Sequence, residues 1–282
     1  MSEMTPSSAP AHQRLSLAHL TLLDATPLEL IDAAAAGGFD FVGPRIMAPA
    51  PTDARPPVVG DQHLIREIQR RLGDTGIRVL DAETFWLWPE TRVQDLLPAL
   101  ETAAGLGAGY LVVAGNDPDA SRLVATFASL CEAGRPLGLK AMLEFMPFTH
   151  TRTLQAALRV IQQAAQPNAG VLVDALHLAR SGASPADLRS LDPAVLDYWQ
   201  ICDASAAPPA DGDLRTEART RRLYPGQGEL PLATLLDTLP AAAPIAVEAP
   251  CERYASLPPV ERGRLCGQVT RAFLASRSET KA

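Results

Sequence analysis

Residues 170–177 read Gly170-Val171-Leu172-Val173-Asp174-Ala175-Leu176-His177. An apolar run without polar alternation, stopping on a carboxylate, is what a strand buried on both faces of a parallel sheet looks like. Runs of the same type recur at 15–20, 39–42, 77–80, 110–113, 139–145, 198–202 and 244–247. Segments with helical spacing lie between them. Leu28, Ile31 and Ala35 form one such face, as do Leu64, Ile65, Ile68 and Leu72. Leu96, Leu97, Leu100 and Ala104 follow, then Leu123, Phe127 and Leu130, and Leu154, Leu158 and Ile161. A last helix over about 258–276 carries Val260, Leu265, Val269 and Phe273. Thr26-Pro27 and Ser184-Pro185 place proline in a first helical turn. Eight strands alternating with helices predict an α/β fold, a single (β/α)8 TIM barrel. No GxGxxG or GxxxxGK[ST] follows the first strand, which removes the usual reason to choose an open doubly wound sheet. The barrel is expected over 15–276, with a disordered N-terminal tail at 1–14 and a C-terminal tail at 277–282.

The composition narrows the function classes. Of 282 residues, 47% are hydrophobic, too many for a disordered chain. A net charge of −7 opposes nucleic acid and anionic membranes as partners. No apolar run approaches the ~20 residues of a membrane span. The first dozen residues are polar and rich in Ser and Pro, unlike a secretory signal, so a cytoplasmic location is expected. Cys131, Cys202, Cys251 and Cys266 lie far apart, which argues against a disulfide framework. A homo-oligomer stays open as an assembly.

Catalytic groups of such a barrel sit where strands end. The last four strand candidates end on, or carry near their ends, Glu144, Asp174, Gln200 and Glu248. Neighbouring strands lie ~4.8 Å apart, so these side chains can converge on one point. A lone carboxylate there is commonly a helix cap or a loop hydrogen-bonder. Three converging carboxylates repel one another unless a cation sits between them. An oxygen-only set favours one hard divalent ion, Mn²⁺ or Mg²⁺, with Co²⁺ or Zn²⁺ as alternatives.

Several segments resemble the xylose isomerase-like sugar phosphate isomerase/epimerase superfamily. They are Leu143-Glu144, Val173-Asp174-Ala175-Leu176-His177, Gln200-Ile201-Cys202-Asp203, Pro225-Gly226-Gln227-Gly228-Glu229 and Val247-Glu248-Ala249-Pro250. The resemblance runs from Leu15 to about Leu274. It implies a single barrel with one divalent metal held by Glu144, Asp174, Gln200 and Glu248. It also implies that Glu144 and Glu248 form the acid/base pair. Sugar epimerases of the superfamily usually have His where this chain has Gln200; glutamine resembles some 3-dehydroshikimate dehydratases. His177, three residues after Asp174, is placed to touch a substrate oxygen or shuttle a proton; the alternative is a helix-start histidine bonded to a loop carbonyl.

Further residues face the same rim in the sequence reading. Arg45 can bind an anionic group, Glu83 after the third strand can reach the substrate, and Trp86, with Trp88 and Phe148, can wall a pocket. The long connection over 204–230 is expected to cover the mouth. Among its Arg215, Arg219, Arg221 and Arg222, one can clamp a carboxylate or phosphate, and Arg219 is taken as that residue. Asp203 is expected to orient a neighbour from behind the site. His19 can line the pocket.

The leading expectation is a metal-dependent isomerase or epimerase acting on a sugar- or polyol-derived α-hydroxy ketone through an enediolate. The alternative is a metal-dependent dehydratase, a lyase, acting on a cyclic hydroxy-keto acid such as 3-dehydroshikimate. An abasic-site endonuclease on this barrel would need several zinc ions, many histidines and a basic groove, which five histidines and the acidic balance oppose. A barrel that only binds a ligand is opposed by the intact carboxylate set.

Overall fold

The computed structural model describes residues 13–48, 58–240 and 242–280. The expected N-terminal tail lies outside this description except for Gln13 and Arg14. Gln13 Nε2 donates to the Ala243 carbonyl, and the Arg14 carbonyl accepts from the Ile245 amide. Of the expected C-terminal tail, Lys281 and Ala282 also fall outside.

The strands are β1 (Leu15–Ala18), β2 (Phe41–Gly43), β3 (Arg78–Val79), β4 (Asp81–Leu87), β5 (Tyr110–Gly115), β6 (Lys140–Glu144), β7 (Ala169–Asp174), β8 (Trp199–Ile201) and β9 (Ile245–Val247). The helices are α1 (Pro27–Ala36), α2 (Gln62–Thr75), α3 (Val93–Gly105), α4 (Ala120–Gly134), α5 (Leu154–Ala164), α6 (Ala175–Arg180), α7 (Leu214–Thr220), α8 (Leu232–Thr238) and α9 (Pro259–Thr280). Thr26 starts α1 through a capping box with Glu29, and Pro27 supplies the first turn. Ser184-Pro185 opens a short 3-10 turn, where the Asp187 carboxylate accepts from the Ser184 amide and hydroxyl.

All strand pairs are parallel, in the order β3-β2-β1-β9-β8-β7-β6-β5-β4. The two outermost strands are consecutive in the chain, so the sheet closes on itself. The seam is stitched by Leu80 N–H to Val42 O at 2.9 Å, Glu83 N–H to Pro44 O at 3.0 Å and Ile46 N–H to Glu83 O at 3.1 Å. Nine segments thus make an eight-staved barrel, one stave being interrupted between Val79 and Asp81. That stave is longer than the sequence reading gave it. Asp81, Glu83 and Thr84 lie within strand and are buried, whereas a polar stretch reads locally as loop. Glu83 is therefore a strand residue.

Two apolar clusters fill the molecule. One, between sheet and helices, is the main core. The other, with Phe41, Leu80, Val112, Met142, Leu172, Tyr198 and Ala246, fills the barrel itself. Helix α9 lies directly on α1: a Cβ at Gly267 would stand 2.0 Å from the Gly37 carbonyl oxygen, and one at Gly263 would stand 2.3 Å from that of Ala33. Only glycine permits this approach. The helix runs to Thr280, past the expected end at Ser276, and Arg277 ties its last turn to Ala233 O and Asp237. No helix among the described residues is long and apolar enough to cross a membrane, and all four cysteines are free.

Candidate metal centre

Glu144 is the last residue of β6, Asp174 the last of β7, Gln200 lies in β8, and Glu248 directly follows β9. Adjacent parallel strands in register carry these four side chains to one end of the barrel. Ligand atoms of Glu144, Asp174 and Glu248 all lie within 4.8 Å of one another, and all three residues are buried. Gln200 Nε2 donates to Glu248 Oε1 at 3.3 Å. Its Oε1 is buried with no hydrogen-bond partner, and so is Glu144 Oε1. Such groups are costly unless something satisfies them. Two orphaned oxygens beside two further carboxylates fit a hard divalent cation.

The electrostatics point the same way. Burial, then the charges of Glu248 and Asp174, raise the Glu144 pKa well above its ordinary value. Burial also raises Glu248, with Arg222 opposing. Burial is the largest single influence on Asp174 and works to raise its pKa, but the charges of Arg222 and His177 and the hydrogen bonds from both together lower it. A cation beside these glutamates would offset the burial and the like charges that raise their pKa values.

Asp174 also caps α6, its Oδ1 accepting from the His177 amide at 2.9 Å. This cap swings the His177 ring into the site, where Nε2 stands 3.7 Å from Glu144 Oε1. Burial pushes the His177 pKa down to about 4, so the imidazole is neutral at physiological pH. Phe148 packs edge-on against it at 5.5 Å.

The most deeply placed cation is Arg222, which sequence reasoning passed over in favour of Arg219. Its Nη1 donates to Asp174 Oδ2 at 2.6 Å and to the Glu248 carbonyl at 2.9 Å; Nη2 pairs with Glu248 Oε2 at 3.0 Å. Arg222 stands three residues before the Pro-Gly-x-Gly-Glu turn, and that proximity was the available signal. Asp203 locks this turn: Oδ1 accepts from the Ala204 and Leu230 amides, and Oδ2 from the Gly226 amide. Paired backbone bonds between Asp203 and Leu223, both 2.8 Å, then fix Arg222. A Cβ at Gly228 would meet Asp203 Oδ1 at 2.5 Å, so the turn needs that glycine.

The cavity over the site is walled by Arg45, Trp86, Phe148, Arg215 and Arg219 above Glu144, His177, Arg222 and Glu248. The connection at 204–230 thus reaches the mouth, through α7. Glu83 is not among the walls. It sits behind Arg45, with Nη2 to Oε2 at 3.4 Å, and its Oε1 accepts from the His19 amide. Trp88 backs Trp86 in a stack at 5.2 Å. His19 is also structural: Nδ1 accepts from the Arg45 amide, and Nε2 bonds the Ala25 carbonyl. Arg221 turns away and pairs with Asp211 at 2.9 Å.

The family model described as xylose isomerase-like TIM barrel matches residues 31–265. The chain belongs to that family. Over 184 residues, 61% of this chain, it is 26% identical to a 3-dehydroshikimate dehydratase of Pseudomonas putida, and it spans 28% of that protein's length. Two solved members of the fold superpose closely. A structure of IOLI protein with a bound zinc atom is 20% identical, with TM-score 0.74 over 94% of this chain and 97% of that one. D-allulose 3-epimerase from Methylomonas sp., in complex with D-allulose, is 17% identical, with TM-score 0.67 over 95% and 98%. These two similarities establish the fold. The family contains isomerases, epimerases and dehydratases.

Proposed function

We propose that this barrel is a divalent-metal-dependent isomerase or epimerase that removes the proton beside the carbonyl of a small sugar- or polyol-derived hydroxy ketone. The observation that carries the reading is the convergence of Glu144, Asp174 and Glu248 within 4.8 Å, with Gln200 completing the set. The donors suit Mn²⁺ or Mg²⁺, and Co²⁺ or Zn²⁺ could also be held. When bound, the cation polarises the carbonyl and acidifies the adjacent C–H.

The chain's own groups do the rest. Glu144 takes the proton at Oε1, a buried oxygen with no hydrogen-bond partner that stands 3.7 Å from His177 Nε2. Glu248 delivers a proton to the opposite face or to the next carbon. Neutral His177 offers Nε2 to a substrate hydroxyl. Arg222 fixes the carboxylates of Asp174 and Glu248, while Trp86 and Phe148 keep water from the reacting carbon.

Dehydration of a hydroxy-keto acid is the second reading, favoured by Gln200 and by the Pseudomonas putida relative. In that case the same deprotonation is followed by loss of a β-hydroxyl. One experiment separates them. Mn²⁺-loaded protein is given 3-dehydroshikimate and, separately, ketohexoses. An ultraviolet-absorbing conjugated product assigns the lyase; epimeric or isomeric ketoses by NMR assign the leading reading. No turnover of any hydroxy ketone at high enzyme concentration contradicts both.

A further inference from the structure

We infer that Arg180 and Glu217 are positioning residues: their buried ion pair clamps α7 beside the metal centre and thereby holds Arg222 against Asp174 and Glu248. The consequence for the metal rests on the metal-dependent reading of the site; the clamp itself does not. Helix α7 has seven residues, of which only Glu217 and Ala218 are buried. So short a segment, with no apolar stripe, has little helical stability of its own. Its hold on the barrel is polar. The Glu217 carboxylate accepts from Arg180 Nε at 2.9 Å and from Nη2 at 2.7 Å, the two-point bridge that a planar guanidinium makes best. The two side chains are 4% and 7% exposed, so loss of either partner strands a charge away from water. Arg180 also donates to the carbonyls of Ser205, Ala206 and Ala207. The connection leading into α7 is thus tied to the same guanidinium.

The last turn of α7 carries this hold to Arg222, which lies beyond the end of the helix at Thr220. The Glu217 carbonyl accepts from the Arg221 amide at 3.0 Å, and the Ala218 carbonyl accepts from Arg222 Nε at 2.7 Å. The Arg222 guanidinium is therefore aimed from α7 as well as by the Asp203–Leu223 pairing. Its Nη1 then meets Asp174 Oδ2, and its Nη2 meets Glu248 Oε2. Asp174 in turn caps α6, the helix whose last residue is Arg180. These contacts close a ring through Asp174, α6, Arg180, Glu217, α7 and Arg222. A shift of α7 reaches two carboxylates of the metal centre without altering a ligand residue.

Glu217→Gln keeps the shape and one acceptor oxygen of the side chain, and it leaves Arg180 its three carbonyl partners. Arg180→Lys keeps the charge but cannot bridge at two points. Circular dichroism verifies the fold of each variant. In metal-free protein, hydrogen exchange over 214–222 should speed up about ten-fold or more in both variants, while β5, β6 and β7 exchange as in the wild type. Arg221→Ala, which removes the surface pair with Asp211, should leave 214–222 as protected as before. Unchanged exchange over 214–222, or a rise shared equally by the whole barrel, overturns the clamp.

Mn²⁺ titration reads whether the clamp acts through Arg222. Arg222→Met should shift the Mn²⁺ dissociation constant by about ten-fold or more, because it removes a charge beside the ligands. Glu217→Gln should shift it in the same direction, and adding Glu217→Gln to Arg222→Met should shift it no further. Additive effects of the two substitutions, or no effect of Glu217→Gln, overturn the positioning role. A wild type that binds no Mn²⁺ refutes the metal reading instead, and the exchange experiment still decides the clamp.

Discussion

Asp81 lies buried in the barrel wall, and burial pushes its carboxyl pKa up to about 7, with the Tyr198 hydroxyl only partly opposing. The unfolded chain ionises this group from about pH 4 upward, whereas the folded protein keeps it protonated until about 7. Stability from Asp81 is therefore fully present at low pH and is lost as pH rises through that window. Asp81→Asn cannot ionise and should abolish the loss. Urea unfolding of metal-free protein should show the variant gaining on the wild type between pH 4 and 8, by on the order of a few kcal/mol. Parallel stability curves would refute the assignment. Other single residues differ in how readable they were. Glu144, Asp174 and Glu248 stood out because each closes an apolar run, and His177 followed from its spacing to Asp174. Arg222 did not, since four arginines crowd one stretch and its burial is fixed by the Asp203–Leu223 pairing, remote in sequence.

At the scale of elements, the apolar runs and helical stripes marked all eight staves and the long helices. The interrupted stave β3/β4 was read short, because Asp81, Glu83 and Thr84 are polar residues buried against the barrel interior and the site, which no local pattern announces. Helix α7 lies within the stretch read only as the long connection over 204–230, because, of its seven residues, only Glu217 and Ala218 are buried and no apolar stripe marks it. The α1–α9 contact was likewise invisible, since it depends on glycines meeting backbone. Gly267→Ala should force these helices apart and cost about 1–3 kcal/mol, read as a lowered Tm. Gly73→Ala, in α2 with open space around it, should instead gain roughly 0.5–1 kcal/mol. Equal effects at the two positions would contradict the packing described.

Across the whole molecule, closure of the sheet gathers one oxygen donor from each of four neighbouring strands at a single end of the barrel. The chain's acidic balance of −7 includes the three buried carboxylates that lie close enough together to hold a cation, and arginines line the cavity over them. Metal binding is thus the property on which the functional reading turns. The direct measurement is metal content after equilibration with Mn²⁺ and dialysis, for the wild type and for Glu144→Gln and Glu248→Gln, with circular dichroism to verify the fold. One ion per wild-type chain, with markedly weakened retention and no turnover in the folded variants, is the predicted result. A wild type that retains no divalent ion, or variants with undiminished metal and activity, would contradict the account.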